Sequence, residues 1–294
     1  MRHTQFMFDL HMHSVISDGS KQPEELVRWA KELGITTMSL TDHDSTQGVL
    51  QAQTVGKNVG VHVIPGVELS VIHNDYKFHV LGYFVNVENS QLQKLFRQIN
   101  EARREYQRSI LEFVNQKLVS QNKKPVDIDL FFAGMPKDKI AMSVDTGRFL
   151  VENKVVTSVS QAFEVFFNKY KSLTKGVSIE QGIKAIQQAK GIAVLAHPGA
   201  PHASLLRQTK DLVEQRKLLN TFVDFGLQGI EVYHPDHSVQ QHEFYSTLAN
   251  EFELLVTGGS DYHGPDAPHL PQSLGAKQVT QEHVDSLEKN SARI

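Results

Sequence analysis

The sequence has no cysteine, which excludes disulfides and thiolate ligands, so any metal ion must be held by nitrogen and oxygen. No apolar stretch approaches the ~18 residues of a membrane span, and the start MRHTQFMFDL lacks the apolar core of a signal peptide. A cytoplasmic protein with no membrane partner is therefore expected. Charge of one sign is also lacking: 30 Lys and Arg against 33 Asp and Glu leave -3, giving no global electrostatic reason to bind nucleic acid or lipid. Internal repeats and low-complexity tracts are absent, and the Gly258-Gly259 pair lacks the spacing of a phosphate-cradling loop. The single tryptophan, Trp29, shares a helical face with Leu26 and Leu33 and is expected in the core. What is there is a 294-residue chain, 40% hydrophobic and 21% charged, enough to bury a full core.

Histidine is plentiful, with 15 residues, and its placement says more than its number. Short β-type runs alternate with helical patterns: FMFDL then 22–33, ITTMSL then 46–58, VHVIPGVEL, FHVLGYF, and later GIAVLAH, GIEVYH and ELLVTGGSD. That order predicts an α/β fold with mainly parallel strands, each followed by a crossover helix. In FDLHMH, MSLTDHD, PGVELS, AVLAHPG, GIEVYHP and VTGGSDYHG an apolar strand runs into His, Asp or Glu at its C-terminal end. In parallel α/β folds the active site lies at that end, so groups distant in sequence would converge there.

Residues 98–177 break this rhythm. Ile99, Tyr106, Ile110, Phe113, Val114 and Leu118 fall at helical spacing, and VSQAFEVFFNKYKSL is a second helix candidate. The segment carries 13 Lys and Arg against 9 Asp and Glu. It reads as an all-helical insertion whose basic residues form a solvated face or offer cations to an anionic substrate. The predicted organisation is a first domain from 1–97 and 178–294, interrupted by the insertion at 98–177.

His11 and His13 alternate on a strand and so share a face, a geometry suited to chelating one ion. Asp18 follows in a glycine-containing turn, His43 lies in TDHD, Glu68 ends VIPGVE, His79 sits in KFHVLGY, His197 precedes a proline, and Asp261 and His263 form SDYH. Singly, each reads as an ordinary polar residue; together they point to metal. Six histidines, two aspartates and a glutamate suffice for two or three ions with Glu68 bridging, and the mixed nitrogen and oxygen set suits Zn, Mn or Fe. Asp42 and Asp44 flank His43 and are expected to orient it. His3, His62, His73, His202, His237, His242, His269 and His283 are read as surface or packing residues.

The ordered motifs DLHMHSVISDG, LTDHDST, GVELS, HVLGYF, AHPG, GIEVYHP and TGGSDYHG resemble those of the PHP (polymerase and histidinol phosphatase) superfamily, over residues 6–97 and about 178–277. The resemblance implies a distorted (β/α)7 barrel with a trinuclear metal site at the strand ends. It implies one metal at His11, His13, Glu68 and Asp261, a second at Glu68, His79 and His197, and a third at Asp18, His43 and His263. It also implies that the insertion matches the branch of nucleoside 3',5'-bisphosphate phosphatases and 5'-3' oligoribonucleases.

The expected activity is hydrolysis of phosphate monoesters of small nucleotides, or at the 5' end of short RNA, by a metal-bound hydroxide, with Asp18, His43, Glu68 and His197 as catalytic groups. Arg148, Arg207 and His234 are the candidate substrate contacts, the arginines because their planar fork takes two phosphoryl oxygens at once. No obligate protein partner is inferred. One departure stands out: Met142, Ser143, Val144 and Asp145 occupy the place where the nucleotide branch carries Gly, Arg, any residue and His. The alternatives are a phosphatase of another small metabolite, such as histidinol phosphate, and a non-catalytic metal- or nucleic-acid-binding module.

Overall fold

The computed structural model describes residues 7–136, 139–170, 176–267, 269–276 and 278–292. The apolar runs form seven strands: β1 (Met7–Asp9), β2 (Ile35–Leu40), β3 (His62–His73), β4 (Tyr76–Tyr83), β5 (Ile192–Leu195), β6 (Gly229–Tyr233) and β7 (Leu255–Gly258). They make one sheet in chain order. Between and after them lie α1 (Pro23–Glu32), α2 (Val49–Val59), α3 (Ser90–Ser120), α4 (Ile128–Ala133), α5 (Ser143–Glu152), α6 (Val159–Val165), α7 (Ile179–Gln188), α8 (Leu205–Gln208), α9 (Leu212–Asp224), α10 (Val239–Glu251) and α11 (Gln281–Ser291). The fold is thus α/β with a mostly parallel seven-stranded sheet. Local chemistry sets the helix ends: Pro23 opens α1, where a missing N–H costs nothing, and Gly60, at φ +76°, closes α2.

A crossover helix does not follow every strand. β3 turns directly into β4 through Asn74 and Asp75, both left-handed at φ +48° and +65°, the requirement of a tight hairpin turn. β4 consequently runs antiparallel to β3 and β5, while the other four pairings are parallel. Glu68 faces Leu81 across this hairpin, which puts His79, two residues away, on Glu68's side of the sheet. Just beyond β1 and β7, the first and last strands of the order, Leu10 N–H donates to Gly258 O at 3.3 Å and Asp261 N–H donates to His11 O at 2.8 Å.

The chain divides into two units, Met1–Phe96 with Gly176–Ile294, and Arg97–Lys175. In the first, Phe8, Leu10, Ile64, Leu81, Tyr83 and Val194 pack beneath the strand ends, and Met12, Leu26, Met38 and Leu40 form a second cluster that Trp29 joins. The other unit has its own core, built on Ile110, Leu111, Val114, Phe131, Leu150 and Phe167. Its later helix candidate is shorter than the pattern suggests: α6 ends at Val165, a 3-10 turn follows at Phe167–Lys169, and 171–173, like His3, lie outside the described residues. Among the described residues no helix is long and apolar enough to cross a membrane.

Candidate metal centre

Strand ends and short loops bring the predicted ligands together. His11 and His13 follow β1, His43 follows β2, Glu68 and His79 sit on the hairpin, His197 follows β5, and Asp261 and His263 follow β7. Three ligand groups result: His11, His13, Glu68 and Asp261; His13, Asp18, His43 and His263; and His43, Glu68 and His79. His197 joins the last, with Nε2 3.0 Å from Glu68 Oε1 and 3.2 Å from His79 Nδ1. His13 therefore reaches two groups, and His43 stands beside Glu68 as well as Asp18.

Glu68 is the hub. Its Oε2 lies 3.4, 3.2 and 3.1 Å from nitrogens of His11, His13 and His43, and its Oε1 lies 3.0 Å from both His79 and His197. Asp261 Oδ1 is similarly crowded, 3.3 Å from His11 Nε2 and 3.2 Å from His13 Nε2. The Nε2 atoms of His11 and His13 face each other at 3.3 Å. Lone pairs packed this closely need cations between them, either protons or metal ions.

The electrostatics express the same crowding. Although burial opposes ionisation, the surrounding histidines hold Glu68, Asp18 and Asp261 well below the usual carboxylate range. Against its own desolvation, His13 is raised to about 10 by its close approach to the carboxylates of Asp261, Glu68 and Asp18. His43 goes the other way: burial, helped by His13 and His79, outweighs Glu68 and Asp18 and pushes it well below the usual imidazole value.

The supports around these ligands were partly hidden in the sequence. Glu231, fully buried in β6, lies 3.0 Å from His11 Nδ1 and accepts the His197 N–H at 2.8 Å. A charged residue inside the apolar run GIEVY was the available signal, since such groups are buried only when paired. Asp9 accepts from the N–H groups of Ser260 at 2.9 Å and Gly275 at 2.7 Å, tying the end of β1 to the loop that carries Asp261. Asp42, expected to orient His43, instead accepts from Ser14 N–H at 2.8 Å, Ser14 Oγ at 2.7 Å and Ser17 Oγ at 2.7 Å. It braces the His13 to Asp18 loop because adjacent residues of an extended chain point to opposite sides. Asp44 accepts from Ser70 N–H at 2.7 Å. His237 is buried and structural: Val232 O can only accept and Gly199 N–H only donate, so Nδ1 carries the proton in contacts of 2.8 and 2.9 Å.

His234 receives the Asp236 N–H on Nδ1, leaving Nε2–H to donate to Asp261 Oδ2 at 3.2 Å. Arg207, on α8, has an exposed side chain. Arg148, in the helical unit, lies 3.6 Å from Asp145 Oδ1, and Asp145 also takes Lys139 Nζ at 2.6 Å and Met142 N–H at 3.1 Å. Asp145, at the departure from the motif, is thus an internal anchor for the start of α5.

The residues present fit divalent ions. Buried Asp18 Oδ1, Asp261 Oδ1, His43 Nδ1 and His197 Nδ1 have no hydrogen-bond partner among the described residues, and all belong to a nitrogen and oxygen set with no thiolate.

The chain is similar to known proteins in sequence and in overall fold. A model of the PHP domain matches residues 9–177. The chain is 29% identical over 282 residues to a phosphoribosyl 1,2-cyclic phosphate 1,2-diphosphodiesterase of Eggerthella lenta, covering 89% of this chain and 97% of the relative. It is 30% identical to a 5'-3' exoribonuclease of Haemophilus influenzae, covering 88% and 90%, and 28% identical to a 3',5'-nucleoside bisphosphate phosphatase of Chromobacterium violaceum, covering 87% of each. Among solved structures, a candidate metal-dependent phosphoesterase of Bifidobacterium adolescentis superposes with a TM-score of 0.81 at 28% identity, over 95% of this chain and 94% of that one.

Proposed function

The chain belongs to the PHP-domain family and is a metal-dependent phosphoesterase, and from that premise we propose that it hydrolyses phosphate monoesters of small nucleotides, either a nucleoside 3',5'-bisphosphate or the 5' end of a short RNA. The observation that carries this reading is the crowding of five imidazole nitrogens around the two oxygens of Glu68. In this reading two or three ions of Mn, Zn or Fe would be held by His11, His13, Glu68 and Asp261; by Glu68, His79 and His197; and by Asp18, His43 and His263, sets that overlap the three groups the fold brings together. The sequential sheet, with hydrogen bonds between the ends of β1 and β7, supports reading the first domain as a distorted (β/α)7 barrel interrupted by a helical cap at 98–177.

Divalent ions supply two things when bound: positive charge for the phosphoryl oxygens and a water acidic enough to attack phosphorus near neutral pH. The chain's own groups position. Glu68 would join the ligand groups, and Asp18, His43 and His197 would complete them. His234 keeps Asp261 oriented through its Nε2–H. Arg148 and Arg207 are the proposed grips on phosphoryl oxygens or on a second phosphate. A nucleotide substrate carries the further expectation of a cytoplasmic enzyme.

A second reading is favoured by the replaced motif at Met142–Asp145 and by the near full-length match to the Eggerthella lenta relative: a phosphorylated ribose bearing a cyclic phosphate. Turnover by Mn-loaded protein, followed as substrate loss with the products resolved, separates the two. The panel is adenosine 3',5'-bisphosphate, a 5'-phosphorylated dinucleotide, phosphoribosyl 1,2-cyclic phosphate and histidinol phosphate. Turnover of either of the first two supports the nucleotide reading; turnover only of the third selects the second; turnover of histidinol phosphate alone, or of none, would overturn both.

A further inference from the structure

Glu231 is buried beneath two of the ligand groups, yet it belongs to neither. Both its oxygens face His11 Nδ1, at 3.0 and 3.2 Å, and Oε2 also accepts the backbone N–H of His197 at 2.8 Å. An ionised carboxylate can only accept, so His11 carries a proton on Nδ1. In the neutral ring that leaves Nε2 bare, and Nε2 is the atom turned toward Glu68, Asp261 and His13. At the other contact, His197 sits at φ +26°, a left-handed backbone that costs a side-chain-bearing residue energy unless its surroundings hold it. The bond from its N–H to a buried carboxylate is such a hold, and a charge-assisted one.

We propose that Glu231 is a positioning residue that couples the two sides of the metal centre, fixing the His11 tautomer and the His197 backbone from one carboxylate so that ions at the His11 group and at the His79 and His197 group bind interdependently. The inference rests on the metal-centre reading above and assigns the coupling to a side chain outside the ligand set. Glutamine at this position tests it sharply, because it keeps the shape but has one accepting oxygen. With that oxygen toward His197, the NH2 group opposes the His11 Nδ1–H; with it toward His11, the NH2 group opposes the His197 N–H.

The experiment is calorimetric titration of chelator-treated protein with Zn, for wild type and Glu231→Gln, with bound metal counted by emission spectroscopy and the fold followed by circular dichroism. Expected is cooperative uptake of at least two ions by wild type, and in Glu231→Gln a metal-free fold like wild type with ~10- to 100-fold weaker and less cooperative binding, the remaining coupling passing through the shared Glu68. Superimposable isotherms would overturn the proposal. Should Glu231→Gln fail to fold, nitrogen chemical shifts of His11 in Zn-loaded wild type decide: Nδ1 protonated and Nε2 ligated supports the coupling, and the reverse overturns it. Wild type that takes up no Zn would overturn the metal-centre reading itself, an outcome distinct from equal binding by the two proteins.

Discussion

The two units handle buried polarity in opposite ways. In the helical unit, Arg97–Lys175, the buried polar side chains among the described residues are Gln107 and Thr146, and they satisfy each other through a 2.7 Å bond. The sheet unit buries Asp9, His11, His13, Asp42, His43, Glu68, His197, Glu231 and Asp261. One unit is stabilised in the ordinary manner, by apolar area. The other places desolvated carboxylates and imidazoles side by side, an arrangement that destabilises a fold until cations balance it. The difference teaches where chemistry resides: the unit with costly interior charges carries the ligands, and the unit with an apolar core contains no histidine at all.

The contrast can be broken most severely at Glu68. Glu68→Ala should lower kcat/KM by about 1,000-fold and reduce bound metal while the metal-free protein still folds; full activity in this variant would remove the assigned centre. Next comes the helical core, where Leu150→Ala should cost about 2–5 kcal/mol in urea unfolding. Its metal content should stay at the wild-type value, since the ligands come from 11–79 and 197–263; lost metal would show that the units are not independent in this respect. Arg148→Ala is a smaller effect, worth ~1.5–3 kcal/mol in kcat/KM if the guanidinium grips substrate. Unchanged kinetics would return Arg148 to a purely structural pairing with Asp145.

The smallest effect is a pH dependence confined to the sheet unit. Burial lowers His237 to about 3, so the folded protein keeps it neutral while the unfolded chain protonates near the ordinary value. The stabilisation is therefore complete above that ordinary value and fades as pH falls toward 3, at no more than ~1.4 kcal/mol per pH unit. Between pH 7 and 5, wild type should lose more unfolding free energy than His237→Gln does. Parallel curves for the two proteins would remove this role.

How much of this was legible in the sequence depended on periodicity. Strand-end ligands stood out because HxH places two rings on one side of an extended chain, and because an apolar run ending in a charged residue repeats six times. Direction was harder. The hairpin at Asn74 and Asp75 has the left-handed residues of a two-residue turn, but within a polar stretch it resembled a loop leading to a crossover. Glu231 escaped notice because its partners lie 220 and 34 residues away, separations that no local pattern encodes. Asp42 was misassigned by proximity: it neighbours His43 in the chain but points to Ser14 and Ser17. In the helical unit the apolar spacing located α3, while the break after Val165 had no proline or glycine to announce it.

The sequential strand order has a kinetic consequence. With each strand beside its predecessor, most pairing closes short loops, and the sheet can grow in the order in which the chain emerges from the ribosome. Two of the three ligand groups do not follow that schedule, because His11 and His13 wait for Asp261, and Asp18 waits for His263, whereas His43, Glu68 and His79 all come from the first strands. Until Asp261 and His263 have emerged, His11, His13 and Asp18 lack their late partners, so ion capture by these two groups follows the pairing of β7 and does not guide the first strands.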